Sequence, residues 1–353
     1  TNRTGDVQEL RRTFSLWSVL GISFSLTNSW FGISTALVTG INSGGPVQLV
    51  YGMILVTVVC VAVGISLAEL ASAMPHAGGQ YYWTSRLAGP TYARFASYMT
   101  GWIAWAGPVF TCASIALGVG NLRLGCIQLV HPELVIRPWM SFVSYQIVNL
   151  FCFVFNLTSG ALPSITFATL WMSIVSYLVI IITVPAKATV HQTPKFVFTD
   201  FIDNTGWPND GIAFTVGLIN ANWAFNGLDC AVHMAEEVDA PEKIIPAAIL
   251  GTIGIGFCTA WIFGIAMMFS LTDFERVAFT STGVPILELF FPGVRVESRR
   301  NYSAGPNHSD GLRRSDRVTH MASSSLLVFR PPANTWRKFI PVWRHRSTHT
   351  WSA

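Results

Sequence analysis

The chain has 353 residues, of which 51% are hydrophobic and only 11% charged, with a mean hydropathy of +0.46. Soluble domains carry roughly 25% charged residues, so this composition excludes a soluble globular domain and implies an all-α, polytopic membrane protein. The charge is uneven: residues 1–294 hold 11 Lys and Arg against 15 Asp and Glu (net −4), while residues 295–353 hold 11 against 3 (net +8), so two kinds of sequence meet near residue 295.

The polar segment 1–13 ends in Arg11-Arg12 directly before an apolar run, which by the positive-inside rule puts the N-terminus in the cytoplasm. That run has the length of a spanning helix rather than of a cleaved signal peptide. Seven segments, approximately residues 16–38, 47–67, 95–119, 139–157, 165–184, 212–234 and 247–271, approach the roughly 20 apolar residues that a bilayer requires. With the N-terminus inside, the loop holding Arg86 and Arg94 is cytoplasmic and the loop of residues 185–209 lies outside. The acidic loop from Glu236 to Lys243 then returns to the cytoplasm, which is acceptable because carboxylates count little in setting topology. Pro108, with Gly101, Gly107, Gly118 and Gly120, predicts a kinked third span with close neighbours. The six cysteines lie in or beside apolar runs without C-x-x-C spacing, so they read as small apolar residues rather than a disulfide or metal set.

Two of these segments lose their apolar character halfway. In the first, Thr27, Asn28 and Ser29 interrupt the run between Gly21 and Gly32; in the sixth, Asn220, Asn222, Asn226, Gly227 and Asp229 do the same. An Asp near a helix centre costs about 2.5–3.5 kcal/mol on insertion scales, so such a carboxylate usually faces a cavity and marks a substrate or ion path. Taken singly, each interruption has a plainer explanation. Thr27, Asn28 and Ser29 can bond back to their own helix carbonyls, and Asp229 can sit wet at the interface of a helix packed through small residues. Their occurrence five spans apart favours a transporter built from inverted five-plus-five repeats, in which half-helix ends at mid-membrane hold substrate and ions.

Three stretches carry a family resemblance: SLAELASAMPHAGGQYYWTSRLAGP (residues 66–90), WAFNGLDCAVHMAEEVDAPEKIIPAAI (residues 223–249) and the first span with its closing SGGP (residues 43–46). Over residues 10–293 the chain resembles the amino acid–polyamine–organocation transporter superfamily, most closely the amino acid/choline branch that includes fungal GABA and choline permeases. The resemblance implies that unwound backbone from Thr27 through Asn28 and Ser29 to Gly32 binds the substrate carboxylate, and that Trp223, Phe225, Asn226 and Gly227 meet its amine or aliphatic part. It further implies that Trp223 closes over the substrate and that Asp229 serves gating or proton coupling. For a quaternary amine, which has no N–H, the faces of Trp30, Phe31, Trp102, Trp223 and Phe225 would carry more of the affinity. Glu69, Glu236 and Glu237 are implied at the inner gate through charge pairs with Arg86 or Lys243; the plain alternative is solvated interface charge, worth at most about 1 kcal/mol per exposed pair.

The likeness stops after residue 293. An eighth span begins at residues 284–293, but no apolar run of spanning length follows, so the expectation is a permease domain over residues 14–293, C-terminally truncated, with a basic, disordered tail over 294–353. Sequons at Asn301-Tyr302-Ser303 and Asn307-His308-Ser309 would face outward from seven spans. The expected function is secondary transport of an amino acid, GABA, choline or a related amine, coupled to protons, in the plasma or vacuolar membrane. The alternative is a non-transporting sensor or assembly partner derived from a permease. An enzyme is not expected, since no nucleophile–base pair, metal cluster or phosphate loop is present; nor is a cofactor or a nucleic-acid partner. Oligomeric state is left open.

Overall fold

The computed structural model describes residues 14–131, 134–157, 162–188, 190–278, 280 and 284–290. Segment 1–13, the end of the expected eighth span and the basic segment 294–353 with its sequons lie outside the described residues. Those described form an all-α, polytopic membrane protein, and no strand occurs among them.

The first span is three short helices, α1 (Leu16–Thr27), α2 (Ser29–Thr35) and α3 (Leu37–Asn42), and the second enters through α4 (Gly45–Val47) and a π-helical turn, Gln48–Gly52, before α5 (Met53–Ala73). A short helix α6 (Gly79–Leu87) leads to α7 (Ala93–Val130), α8 (Pro138–Leu157) and α9 (Leu162–Lys187). After α10 (Pro194–Thr199), the sixth span is α11 (Asp210–Asn222) followed by two 3-10 segments, Trp223–Phe225 and Leu228–Met234. Then come α12 (Pro241–Phe269), α13 (Phe274–Ala278) and α14 (Pro285–Phe290), the last on the expected start of the eighth span.

Five helical stretches among the described residues are long and apolar enough to cross a membrane: Gly45–Ala73, Ala93–Val130, Pro138–Leu157, Phe167–Lys187 and Pro241–Phe269. The first and sixth expected spans are absent from that set because each is broken into pieces too short to cross alone. α7 runs unbroken through Pro108 for 38 residues, eleven beyond the expected end of the third span, because Leu122, Cys126 and Leu129 bury one face of its extension.

Burial is unequal in a way that identifies the solvent. α12 buries Ile245, Ile249, Ile253, Ala260, Phe263 and Met267 at helical spacing against α1, α2 and α5, so it is the central post. By contrast α8 buries only Ser144, whose hydroxyl donates to Gly120 O on α7 at 2.9 Å. Its exposed Phe142, Leu150, Phe151 and Phe153 suit a hydrocarbon surround. Local chemistry sets several ends: Asn209 caps α11 by accepting from Gly211 N–H at 2.7 Å, and Pro241 opens α12 at a position where its missing N–H costs nothing.

Candidate functional site

The first span breaks at one residue. Asn28 adopts the left-handed conformation (φ 36°, ψ 59°), closing α1 through its N–H to Phe24 O at 2.8 Å and opening α2 by accepting from Phe31 and Gly32 N–H at 3.0 and 2.9 Å. Asn is among the few residues other than Gly that tolerate this region. Two of the amides expected to grip an anion are thus already bonded to the Asn28 carbonyl. Thr27 turns its hydroxyl back onto Phe24 O at 3.2 Å, a bond to its own helix. Asn28 and Ser29 instead reach other helices.

The break in the sixth span is longer. α11 gives way to the Trp223–Phe225 turn, Asn226 is extended, and Gly227 at φ 90° redirects the chain into the Leu228–Met234 segment. Each break leaves carbonyls without helical partners, and such groups must be met elsewhere when buried. Ser29 Oγ donates to Ala224 O at 2.6 Å, and Asn220 Nδ2 donates to Ile33 O at 2.9 Å, so each broken span supplies a side chain to the other's backbone. Gly32 lies so close to the sixth span that a Cβ there would stand 2.6 Å from Trp223 O. On α12, Gly256 backs onto Ser29, with Phe225 beside it.

Thr27, Asn28, Ser29 and Gly32 are buried, as is Phe225, whereas Trp223, Asn226 and Gly227 are half-buried. The two breaks are therefore brought into contact by Ser29, Gly32, Trp223 and Ala224. Asn226 turns to α7, where its Nδ2 donates to Thr111 Oγ1 at 3.3 Å. Of the aromatic candidates, Trp30 is 2% exposed and packs with Tyr177 and Phe263 at 6.0 and 5.6 Å between ring centroids, so it serves the core. Trp102 is 49% exposed on the outer face of α7.

Asp229 has a partner that spacing did not suggest: its Oδ2 accepts from Gln80 Nε2 at 2.9 Å. A second tie fastens the same two segments, His233 Nδ1 to Ala77 O at 2.8 Å. Glu236 lies near Tyr81, and burial first, then that carboxylate, push the phenol above its ordinary range, so it stays neutral at physiological pH. Glu69 is exposed at the end of α5, and Glu237 accepts Phe14 N–H through its backbone at 3.2 Å. Among the described residues no ion pair joins these carboxylates to Arg86 or Lys243; Arg86 instead lies 5.3 Å from the Tyr82 ring centroid. Gln80 lies within the stretch of residues 66–90 that carries part of the family resemblance. Thr111 is one of several hydroxyl residues along α7, and nothing in its spacing marks it out.

Residues 14–296 match the amino acid permease family. The chain belongs to that family. The chain is 50% identical over 282 residues to a choline transporter of Saccharomyces cerevisiae, covering 80% of this chain and 50% of the relative. It is 32% identical to a 7-keto 8-aminopelargonic acid transporter of the same yeast (82% and 58% covered) and 33% identical to an amino-acid permease of Arabidopsis thaliana (81% and 57%). The chain spans about half the length of the curated relatives it matches.

The ties between the two broken spans make one stability prediction. Asn220→Leu keeps the volume but strands the buried Ile33 carbonyl, and interhelical hydrogen bonds in membranes are worth about 0.6–2 kcal/mol. The thermal midpoint in detergent is expected to fall by a few degrees; an unchanged midpoint would show that the tie contributes nothing.

Proposed function

We propose that this permease is a secondary transporter that moves a small amine-bearing solute, such as choline, GABA or another amino acid, across a membrane by alternating access coupled to protons. The observation that carries the proposal is the meeting of two broken helices, first and sixth, five spans apart, because irregular backbone at membrane depth is tolerated only where it lines a cavity or is buried in protein. The family and the relatives' names support the substrate class. The arrangement of residues 14–293 is read as the front part of an inverted five-plus-five repeat.

In this reading Asn28, Ser29 and Gly32 form one wall of the substrate site, and Trp223, Phe225, Asn226 and Gly227 the other. Thr27 braces the end of α1. With the N-terminus in the cytoplasm, the loop from Ala77 to Gln80 and the Leu228–Met234 segment lie at the inner end, where the Asp229–Gln80 and His233–Ala77 bonds hold the gate shut. Glu69, Glu236 and Glu237 border that gate.

Uptake of tritiated choline and tritiated GABA by cells stripped of their own permeases tests the proposal. Saturable uptake that collapses when the proton gradient is dissipated is the expected result. A chain that inserts in the membrane yet neither binds nor takes up either tracer removes the proposal.

A further inference from the structure

A buried polar relay behind the first break has no part in the contacts described so far. Ser173, on α9, is 1% exposed and stands between two side chains of the broken span. Trp30 Nε1 lies 3.0 Å from its Oγ, and the same Oγ lies 2.9 Å from Asn28 Oδ1. Donor rules fix the direction of both bonds. An indole N–H only donates, so the serine oxygen accepts from Trp30; the single hydroxyl proton then goes to the amide oxygen of Asn28. With its oxygen held, Asn28 turns its N–H2 group the other way. That group is buried, Asn28 being 1% exposed, and its nitrogen has no hydrogen-bond partner among the described residues.

A buried amide donor left unbonded is disfavoured unless something supplies an acceptor. The left-handed turn does not by itself require this relay, since any Asn or Gly satisfies that geometry. Nor does the Trp30 indole require Asn28, since the serine alone would accept it. What the relay accomplishes is orientation: it runs from indole to hydroxyl to amide oxygen and leaves two N–H donors at the first break.

We propose that Asn28 Nδ2 donates to an oxygen of the transported solute, and that Ser173 is the positioning residue that holds the amide in this orientation and so selects amines bearing an acceptor oxygen. This rests on the substrate site proposed above and names its preferred chemistry. An ammonium or quaternary amine has no lone pair to offer Asn28, so the nitrogen end is recognised elsewhere. The matching oxygen is a hydroxyl or a carboxylate, the first present in choline and the second in amino acids. A bound solute would extend the relay by one bond, and hydrogen bonds in such chains reinforce one another.

The test uses the full chain in lipid nanodiscs and compares ligands that differ at one group. Tritiated choline is displaced by unlabelled choline or by propyltrimethylammonium, in which a methyl replaces the hydroxyl. Tritiated GABA is displaced by unlabelled GABA or by n-butylamine, in which a methyl replaces the carboxylate. The wild-type chain is expected to prefer the oxygen-bearing member of at least one pair by about tenfold, the worth of one net hydrogen bond; the pair that shows it tells hydroxyl from carboxylate. Ser173→Ala and Asn28→Asp are expected to bring that ratio within about twofold of unity, and Ser173→Thr, which keeps the hydroxyl, to retain it.

Equal affinity for both members of each pair in the wild-type chain overturns the inference and leaves the substrate site standing. Absence of binding by any of the four ligands overturns both. Equal weakening of both members in Ser173→Ala, with the ratio kept, reduces Ser173 to a structural residue and overturns its selecting role. Because the wild-type ratio alone can refute the inference, a variant that fails to insert does not shield it.

Discussion

Gly32→Ala is expected to weaken substrate binding by roughly five- to a hundredfold and to lower the thermal midpoint, although it adds one methyl group. The Cβ would lie 2.6 Å from Trp223 O and 3.0 Å from Trp223 C, both backbone atoms that no rotamer change can move. The strain can be relieved only by shifting α2 or the Trp223–Phe225 turn, and either shift lengthens the Ser29–Ala224 bond of 2.6 Å or the Asn220–Ile33 bond of 2.9 Å. Overpacking of this kind costs about 1–3 kcal/mol, which corresponds to a loss of roughly five- to a hundredfold in an equilibrium that needs the native spacing. Gly118→Ala on α7 is the control, because its Cβ would meet nothing within 4 Å. Binding of tritiated choline or GABA decides the matter; wild-type affinity in Gly32→Ala would mean that the contact between the broken helices is not part of the site.

The second large effect is expected at Asp229. Its carboxylate accepts from Gln80 at 2.9 Å, and a hydrogen bond to a charged acceptor is worth about 1.5–3 kcal/mol against about 0.5–1.5 for a neutral one. Asp229→Asn should therefore open the proposed gate about tenfold more often while leaving membrane insertion intact. Gln80→Glu should open it further, since two carboxylates would then face each other. Cys230, next along the chain and half-buried, offers a native reporter once the other five cysteines are replaced by serine. Its labelling rate with a permeant maleimide should rise in each single variant and return toward wild type when Gln80→Glu and Asp229→Asn are combined, because that exchange rebuilds the amide–carboxylate pair in reverse. Rates that stay wild-type in both single variants would dismiss the latch. Uptake in the combined variant then separates two roles: recovery makes Asp229 a latch alone, and continued loss requires a carboxylate at position 229 for proton coupling.

The plain alternative at Thr27 and the one at Asn28 met different fates for a reason rooted in geometry. A hydroxyl on a regular helical turn finds its own carbonyl within reach, as Thr27 finds Phe24 O. Asn28, held in the left-handed region, directs its side chain away from that turn, and Ser173 is there to receive it. Arg86, four residues after Tyr82 on α6, places its guanidinium 5.3 Å from that ring's centroid.

What this sequence determined by itself was the medium and the positions of the breaks. A weakly charged chain with apolar runs near 20 residues long satisfies its backbone in a bilayer as helices. Polar clusters at Thr27–Ser29 and Asn220–Asp229 tell where those helices fail, because Asn and Gly supply left-handed backbone at Asn28 and Gly227. Packing alone decided which groups complete the breaks: Ser29 with Ala224, Asn220 with Ile33, Asn28 with Ser173, Asp229 with Gln80. These partners lie more than a hundred residues apart, so no local period encodes them. They are selected when buried carbonyls and amides, cut off from water, bond to whatever the neighbouring helices present.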